Sequence, residues 1–216
     1  MKQTRLDQLS DGVFAIVMTI LVFELRVPYF IGAISEQKLL HSLLEMSPLF
    51  LSYLLSFSLL FTYWRSHHLI ASVLAKNIDT KFSNLNGIFL FFVALVPFSS
   101  RFLGEYVNSE TAIIFFALNI IMIGIILFRM RNYVIKSRTI ENLPFTKTEN
   151  EHANMHILFP VGSAIVAIAV SFLSNSLALS LFTVAILFNL SGKGIKYTFF
   201  LIDLFRKENK QNTEVI

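Results

Sequence analysis

The chain reads as an all-α, polytopic membrane protein with six transmembrane helices in a single domain over residues 1–216, and three observations lead there. Of the 216 residues, 55% are hydrophobic and 15% charged, where an ordinary soluble domain carries about 25% charged residues. Mean hydropathy is +0.65, a surplus of apolar surface that a soluble fold of this size has nowhere to hide. The apolar residues also gather in runs that lack Asp, Glu, Lys, Arg and His. Composition therefore excludes a soluble enzyme, a disordered tail and a small secreted scaffold. The absence of Cys excludes disulfides, thiolate catalysis and thiolate metal sites.

The first helix, 6–27, is the unusual one. Its charge-free stretch, 12–23, holds 12 residues, too few for a crossing that takes about 20. The helix must therefore include Ser10 and Asp11 at one end and Glu24 at the other. Asp7 and Asp11, and the lack of a small-x-small pattern after Phe23, argue against a cleaved signal. Helices two, three and four, at 46–67, 82–103 and 111–131, contain charge-free runs of 19, 19 and 18 residues. Each is long enough for about 30 Å of hydrocarbon. Residues 157–192 form a run of 36, too long for one span, that breaks at Ser174-Asn175-Ser176. Helices five and six follow at 155–173 and 177–205. The segments 26–46 and 129–156 read as the two longer connections, the latter as extensions of helices four and five around Leu143-Pro144.

With the N-terminus in the cytoplasm, fifteen of the 18 Lys and Arg fall on that side. Only Arg26, Lys38 and Arg101 fall outside. The positive-inside rule thus places both termini in the cytoplasm, and the chain is expected to be a multi-pass protein of the cell membrane. It also explains the net charge of +4 without nucleic acid as a partner.

Ionisable residues within a membrane are costly and point to function or to specific pairing. They concentrate on the first helix. At about 100° per residue, Ile16, Ile20 and Phe23 form one stripe with Gly12 and Thr19 at its edge, while Ser10 and Asp11 point elsewhere. An apolar row of this kind is either a packing face or a pore lining. The second helix ends in Trp64-Arg65-Ser66-His67-His68 and the third starts with Asn84 and Asn86, at the depth of Ser10-Asp11. Indole, imidazole and amide groups there are adequate partners for a carboxylate. That cluster is either an interhelical hydrogen-bond clamp or a proton relay. Glu24 and Arg26 sit at the outer mouth, either merely solvated or attracting cations. His152 and His156 share an i, i+4 spacing with Glu151 beside them, but no HExxH motif exists and no metal site is expected. No nucleophile–base constellation, phosphate loop or dinucleotide fingerprint appears, so the chain is not expected to be an enzyme.

The segment Arg5-x-x-x-Leu9-Ser10-Asp11-Gly12-Val13-Phe14-Ala15-Ile16, continuing through Met18-Thr19 to Glu24-Leu25, resembles the signature of the transmembrane protein 175 family, with Leu9 where the family has Phe. Trp64-x-x-His67-His68 is similar to that family's second-helix ending. Asn84 through Val96-Pro97-Phe98-Ser99 and Leu103-Gly104-Glu105-Tyr106 is similar to its third helix. These are endosomal and lysosomal potassium channels in animals, with prokaryotic relatives of a single six-helix unit. The resemblance implies a homotetramer, with the first helix of each subunit lining a pore that has no carbonyl filter. By distance from the motif Asp, the family's apolar constriction falls on Ile16, Ile20 and Phe23, and its selectivity hydroxyl on Thr19. It further implies that Arg5, Ser10 and Asp11 hold the first helix against Trp64, His67 and Asn84. The function expected is a weakly to moderately potassium-selective channel. Its partners are further copies of itself, the bilayer and monovalent cations, with permeant K+ and no cofactor. A proton-coupled transporter using Asp11 and His67 as a relay is the alternative.

Overall fold

The structure, a computed structural model, describes residues 3–30, 35–75, 77–137, 140 and 147–190. No strand occurs among them, and the all-α architecture has eight helices in the described residues. Helix α1 covers Gln3–Ile20 and tightens into a 3-10 turn over Leu21–Glu24. A short helix α2, Glu36–Glu45, precedes α3, Ser47–His68, which continues as a π-helical turn over Leu69–Leu74. Then come α4 (Thr80–Ala94), α5 (Val96–Glu105), α6 (Glu110–Lys136), α7 (Lys147–Ser171) and α8 (Asn175–Leu190).

Five stretches are long and apolar enough to cross a membrane: Gln3–Glu24, Ser47–Ser72, Thr80–Glu105, Glu110–Lys136 and Ala153–Ser171. Asn175–Leu187 is apolar but shorter, and the expected continuation of helix six through 191–205 lies outside the described residues, as do residues 141–146 around Leu143-Pro144. The spanning helices expose large apolar side chains such as Leu54, Phe91, Leu118 and Ile165. In water that surface would aggregate; in a bilayer it is the lipid-facing or subunit-facing side.

Two features depart from the expected helix boundaries for stated reasons. The third span breaks at Leu95 into α4 and α5, because Pro97 at the start of α5 has no N–H and its ring crowds the preceding turn. Residues 36–45, expected within a connection, form α2: Ser35 caps it by accepting from the Lys38 amide at 3.4 Å, and Leu39, Leu40, Leu43 and Leu44 recur at helical spacing.

The helices meet through small residues and polar bonds, as membrane helices do. A Cβ on Gly124 would lie 2.2 Å from Val161 Cγ2, so α6 and α7 approach there as only glycine allows. Ser100 Oγ donates to Ser52 O (3.1 Å), joining α5 to α3. Asn119 Nδ2 donates to Ser99 Oγ (3.1 Å), and Tyr63 Oη to Ile120 O (3.3 Å), joining α6 to α5 and α3. Where α6 ends, the wholly buried Arg131 donates from Nε to Asn154 Oδ1 of α7 at 2.9 Å.

Candidate functional site

Helix α1 has two faces, and its sequence period sets them apart. Leu6, Ser10, Phe14, Val17 and Leu21 recur every three or four residues and are buried against the rest of the subunit. The opposite side carries Leu9, Gly12, Ile16, Thr19, Ile20 and Phe23, all exposed. Ile16 is 58% exposed, Ile20 40% and Phe23 74%. A Cβ on Gly12 would meet nothing within 4 Å. The Thr19 hydroxyl donates back to Ala15 O and Ile16 O, each at 2.9 Å, which leaves its oxygen lone pairs on the open side. Val22 is exposed as well, at 47%, but lies off the Ile16–Ile20–Phe23 stripe.

The buried face is fixed by polar contacts that run along α1. Near its start, Gln3 Nε2 donates to the carbonyls of Ala71 (2.6 Å) and Ala75 (2.5 Å), closing the end of the π-helical turn that follows α3. Asp11 Oδ1 accepts from Trp64 Nε1 at 2.9 Å, with Asp11 exposed. Deeper, Asn86 of α4 bridges two helices: its Nδ2 donates to Ser10 Oγ (3.0 Å) and its Oδ1 lies 2.6 Å from His67 Nε2. An amide oxygen only accepts, so His67 Nε2 carries the proton. Ser10 Oγ in turn donates to Leu6 O (2.9 Å). The His67 ring stacks on Phe89 at 5.1 Å with 5° between planes, and Phe14 lies 6.1 Å from it. Ser10, His67 and Asn86 are 0%, 2% and 1% exposed.

Of the residues named from sequence, Asp11 and Trp64 are bonded to each other, and Ser10 and His67 are joined through Asn86, in two separate groups rather than one chain. No hydrogen bond joins Asp11 to His67 among the described residues. Arg5 and Asn84 stay outside this arrangement and are exposed. Asn84 is two residues from Asn86, about 200° round the helix, so one faces the interior and the other does not. Arg5 falls on the exposed side of α1 with Phe23, at the same helical angle. Sequence reasoning missed Gln3 as a cap and undervalued Asn86. Phe82 and Phe89 of α4, at positions i−4 and i+3 from Asn86, share its buried face.

At the far end of the stripe, Glu24 and Arg101 form an ion pair. Arg101 Nη1 lies 3.4 Å from Glu24 Oε2, and Arg101 Nε donates to Glu105 Oε2 at 3.3 Å. The 3-10 end of α1 is thereby tied to α5, and two carboxylates share one guanidinium. Arg26, two residues beyond Glu24, is exposed. No group of three or more His, Asp or Glu side chains suited to a metal occurs among the described residues; the side chains of Glu151 and His152 lie outside them.

The family model for the endosomal/lysosomal potassium channel TMEM175 matches residues 5–97, which hold α1 through the start of α5. A potassium channel of Chamaesiphon minutus is 32% identical over 190 residues, 86% of this chain and 93% of that protein. A potassium channel of a Chryseobacterium species is 32% identical over 137 residues, 63% of this chain and 67% of that one. The crystal structure of a lysosomal potassium-selective channel TMEM175 homolog from Chamaesiphon minutus superimposes with a TM-score of 0.71 at 30% identity, covering 87% of this chain and 95% of that one.

Proposed function

This chain belongs to the TMEM175 family of potassium channels, and from that premise we propose that it is a potassium-selective channel in which four copies enclose a pore lined by α1. Membership makes it a multi-pass membrane protein and a channel rather than an enzyme. The observation that carries the finer reading is the asymmetry of α1. One face is bonded and packed into its own subunit, while Ile16, Thr19, Ile20 and Phe23 face away from it uncovered. A single α1 cannot enclose a path, so the pore needs several copies around an axis on that open side.

In such a pore the ion meets rings of apolar side chains. Ile16 and Ile20 form the narrow neck, where a cation sheds part of its hydration shell and where dewetting closes the path. The Thr19 hydroxyls between them offer oxygen lone pairs, and Phe23 forms the wider outer ring. Ser10, Asp11, Trp64, His67 and Asn86 hold α1 in place and do not touch the ion; Arg5 and Asn84 have no part in that hold within one subunit. Glu24 and Glu105 share Arg101 at the mouth, where Arg26 supplies a second cation, so the four charges balance. We place the protein in the cell membrane with both termini in the cytoplasm, from the distribution of Lys and Arg.

The test is reconstitution of the purified chain in a planar bilayer between potassium and sodium solutions. A current that reverses near the potassium equilibrium potential, and that is indifferent to an imposed proton gradient, supports the channel. Flux that requires the proton gradient would replace it with the Asp11–His67 transporter.

A further inference from the structure

Helix α2 has no part in the pore. None of its ten residues is buried. Leu39, Leu40, Leu43 and Leu44 fall within one arc, which Glu36 of the first turn shares, while Gln37, Lys38, His41, Ser42 and Glu45 take the other side. Leu40 is 60% exposed and Leu44 64%. On the polar side His41 Nδ1 lies 3.3 Å from Glu45 Oε1. The helix is about 15 Å long, too short to span, and two-sided beyond its first turn.

Connectivity fixes where this helix sits. The chain leaves one membrane-spanning helix at Glu24 and enters the next at Ser47. Only Met46 separates α2 from α3, and it serves as the cap of both. The last turn of α2 is therefore held at the membrane boundary whatever the angle between the helices. The exposed apolar side chains of α3 begin within a turn of that point, at Phe50, Leu54 and Phe57. The leucine face of α2 is thus continuous in sequence with the apolar surface of a spanning helix. A short, two-sided helix tied to the boundary is the form taken by helices that lie in the plane of the interface, with the apolar face among acyl chains and the polar face among headgroups.

We infer that α2 is an interfacial anchor whose four-leucine face occupies the headgroup–acyl boundary of the bilayer at the entry to α3. The lipid it takes is set by the leucines and not by charge. Glu36 and Glu45 outweigh Lys38, so the helix has no excess of cations with which to select acidic headgroups. The inference needs only that the chain spans a membrane, and it stands or falls apart from the potassium current.

The natural absence of Cys allows a direct test. Leu40→Cys, Leu44→Cys and His41→Cys are labelled with an environment-sensitive fluorophore in phosphatidylcholine vesicles, after membrane insertion and assembly are checked. Probes at 40 and 44 should lose most of their emission to lipids bearing a nitroxide high on the acyl chain and resist aqueous iodide, while the probe at 41 does the reverse. Adding phosphatidylserine should change neither pattern. Probes at 40 and 44 quenched by iodide, or untouched by either quencher because a second copy covers them, overturn the inference. If a leucine variant does not assemble, the unmodified chain in vesicles with a diazirine-bearing acyl chain gives the answer. Photolabelling should reach residues 39–44, and labelling confined to the spanning helices contradicts the anchor.

Discussion

Replacing Asn86 by Leu should be the most damaging single change along the contact between α1, α3 and α4. The side chain is 1% exposed and makes two bonds, to Ser10 Oγ at 3.0 Å and to His67 Nε2 at 2.6 Å. A hydrogen bond contributes about 1 kcal/mol net, and interhelical bonds in membranes average nearer 0.6 kcal/mol. The larger effect is what remains behind. The His67 Nε2 proton, on a ring 2% exposed and stacked on Phe89, is left without an acceptor, at a cost of about 1–3 kcal/mol. Asn86→Leu should therefore lose about 2–4 kcal/mol. Ser10→Ala removes the bond from Asn86 and the hydroxyl's own bond to Leu6 O, and strands one amide hydrogen, for about 1–2 kcal/mol. Trp64→Phe should cost less than about 1 kcal/mol, because Asp11 is exposed and takes water in place of the indole. The assay is equilibrium unfolding in mixed micelles by denaturing detergent, followed by helical circular dichroism. If Trp64→Phe costs as much as Asn86→Leu, or Asn86→Leu is neutral, the buried bridge is not what holds α1.

Gly124→Ala should destabilise the fold by about 1–3 kcal/mol, since its Cβ would fall 2.2 Å from Val161 Cγ2; Val161→Ala added to it should recover part of the loss in the same unfolding assay. Arg101→Gln should leave Glu24 and Glu105 in excess over Arg26 and raise single-channel current at low salt, an effect that should fade as ionic strength screens the mouth. The ion pair is partly exposed, so its contribution to stability should stay within about 1 kcal/mol. Ser176→Cys should react with an impermeant maleimide from the outside only; reaction from the cytoplasmic side alone would invert the proposed topology.

Much of the helical layout is legible in the sequence because the bilayer imposes a length and excludes charge, so gaps between charged residues mark α3, α6 and the α4–α5 pair directly. The two faces of α1 were legible for a similar reason. Its short apolar core must include Ser10, Asp11 and Glu24, and a period of 3.6 then separates Ile16, Ile20 and Phe23 from Ser10. The break at Leu95 was signalled by Pro97, but a charge-free run hides a helix break, because hydropathy reports depth and not backbone continuity. Helix α2 was lost in the other direction: Glu36, Lys38, His41 and Glu45 make the segment polar on average, and only the recurrence of its leucines reveals the helix. The choice between Asn84 and Asn86 depends on the rotation of α4 about its own axis, and that is set by packing of Phe82 and Phe89 into the core. Gln3 is illegible for another reason. Its amide serves carbonyls freed at the end of a π-helical turn, and nothing local in residues 69–75 announces that turn.

The central claim is that the uncovered face of α1 lines the potassium path, and Ile16 tests it most directly. The measurement is the reversal potential and unitary conductance of Ile16→Asn against the unaltered channel, between potassium on one side and sodium on the other. Val22→Asn, exposed but off the stripe, serves as the control. An amide in place of the isoleucine admits water to the neck and offers it oxygen, which lowers the cost of drying the ion. Conductance should rise and the reversal potential should move from the potassium equilibrium potential toward zero, with Val22→Asn leaving both nearly unchanged. Unaltered conductance and reversal potential in a properly assembled Ile16→Asn channel would make the stripe a packing face, and the ions would have to cross elsewhere.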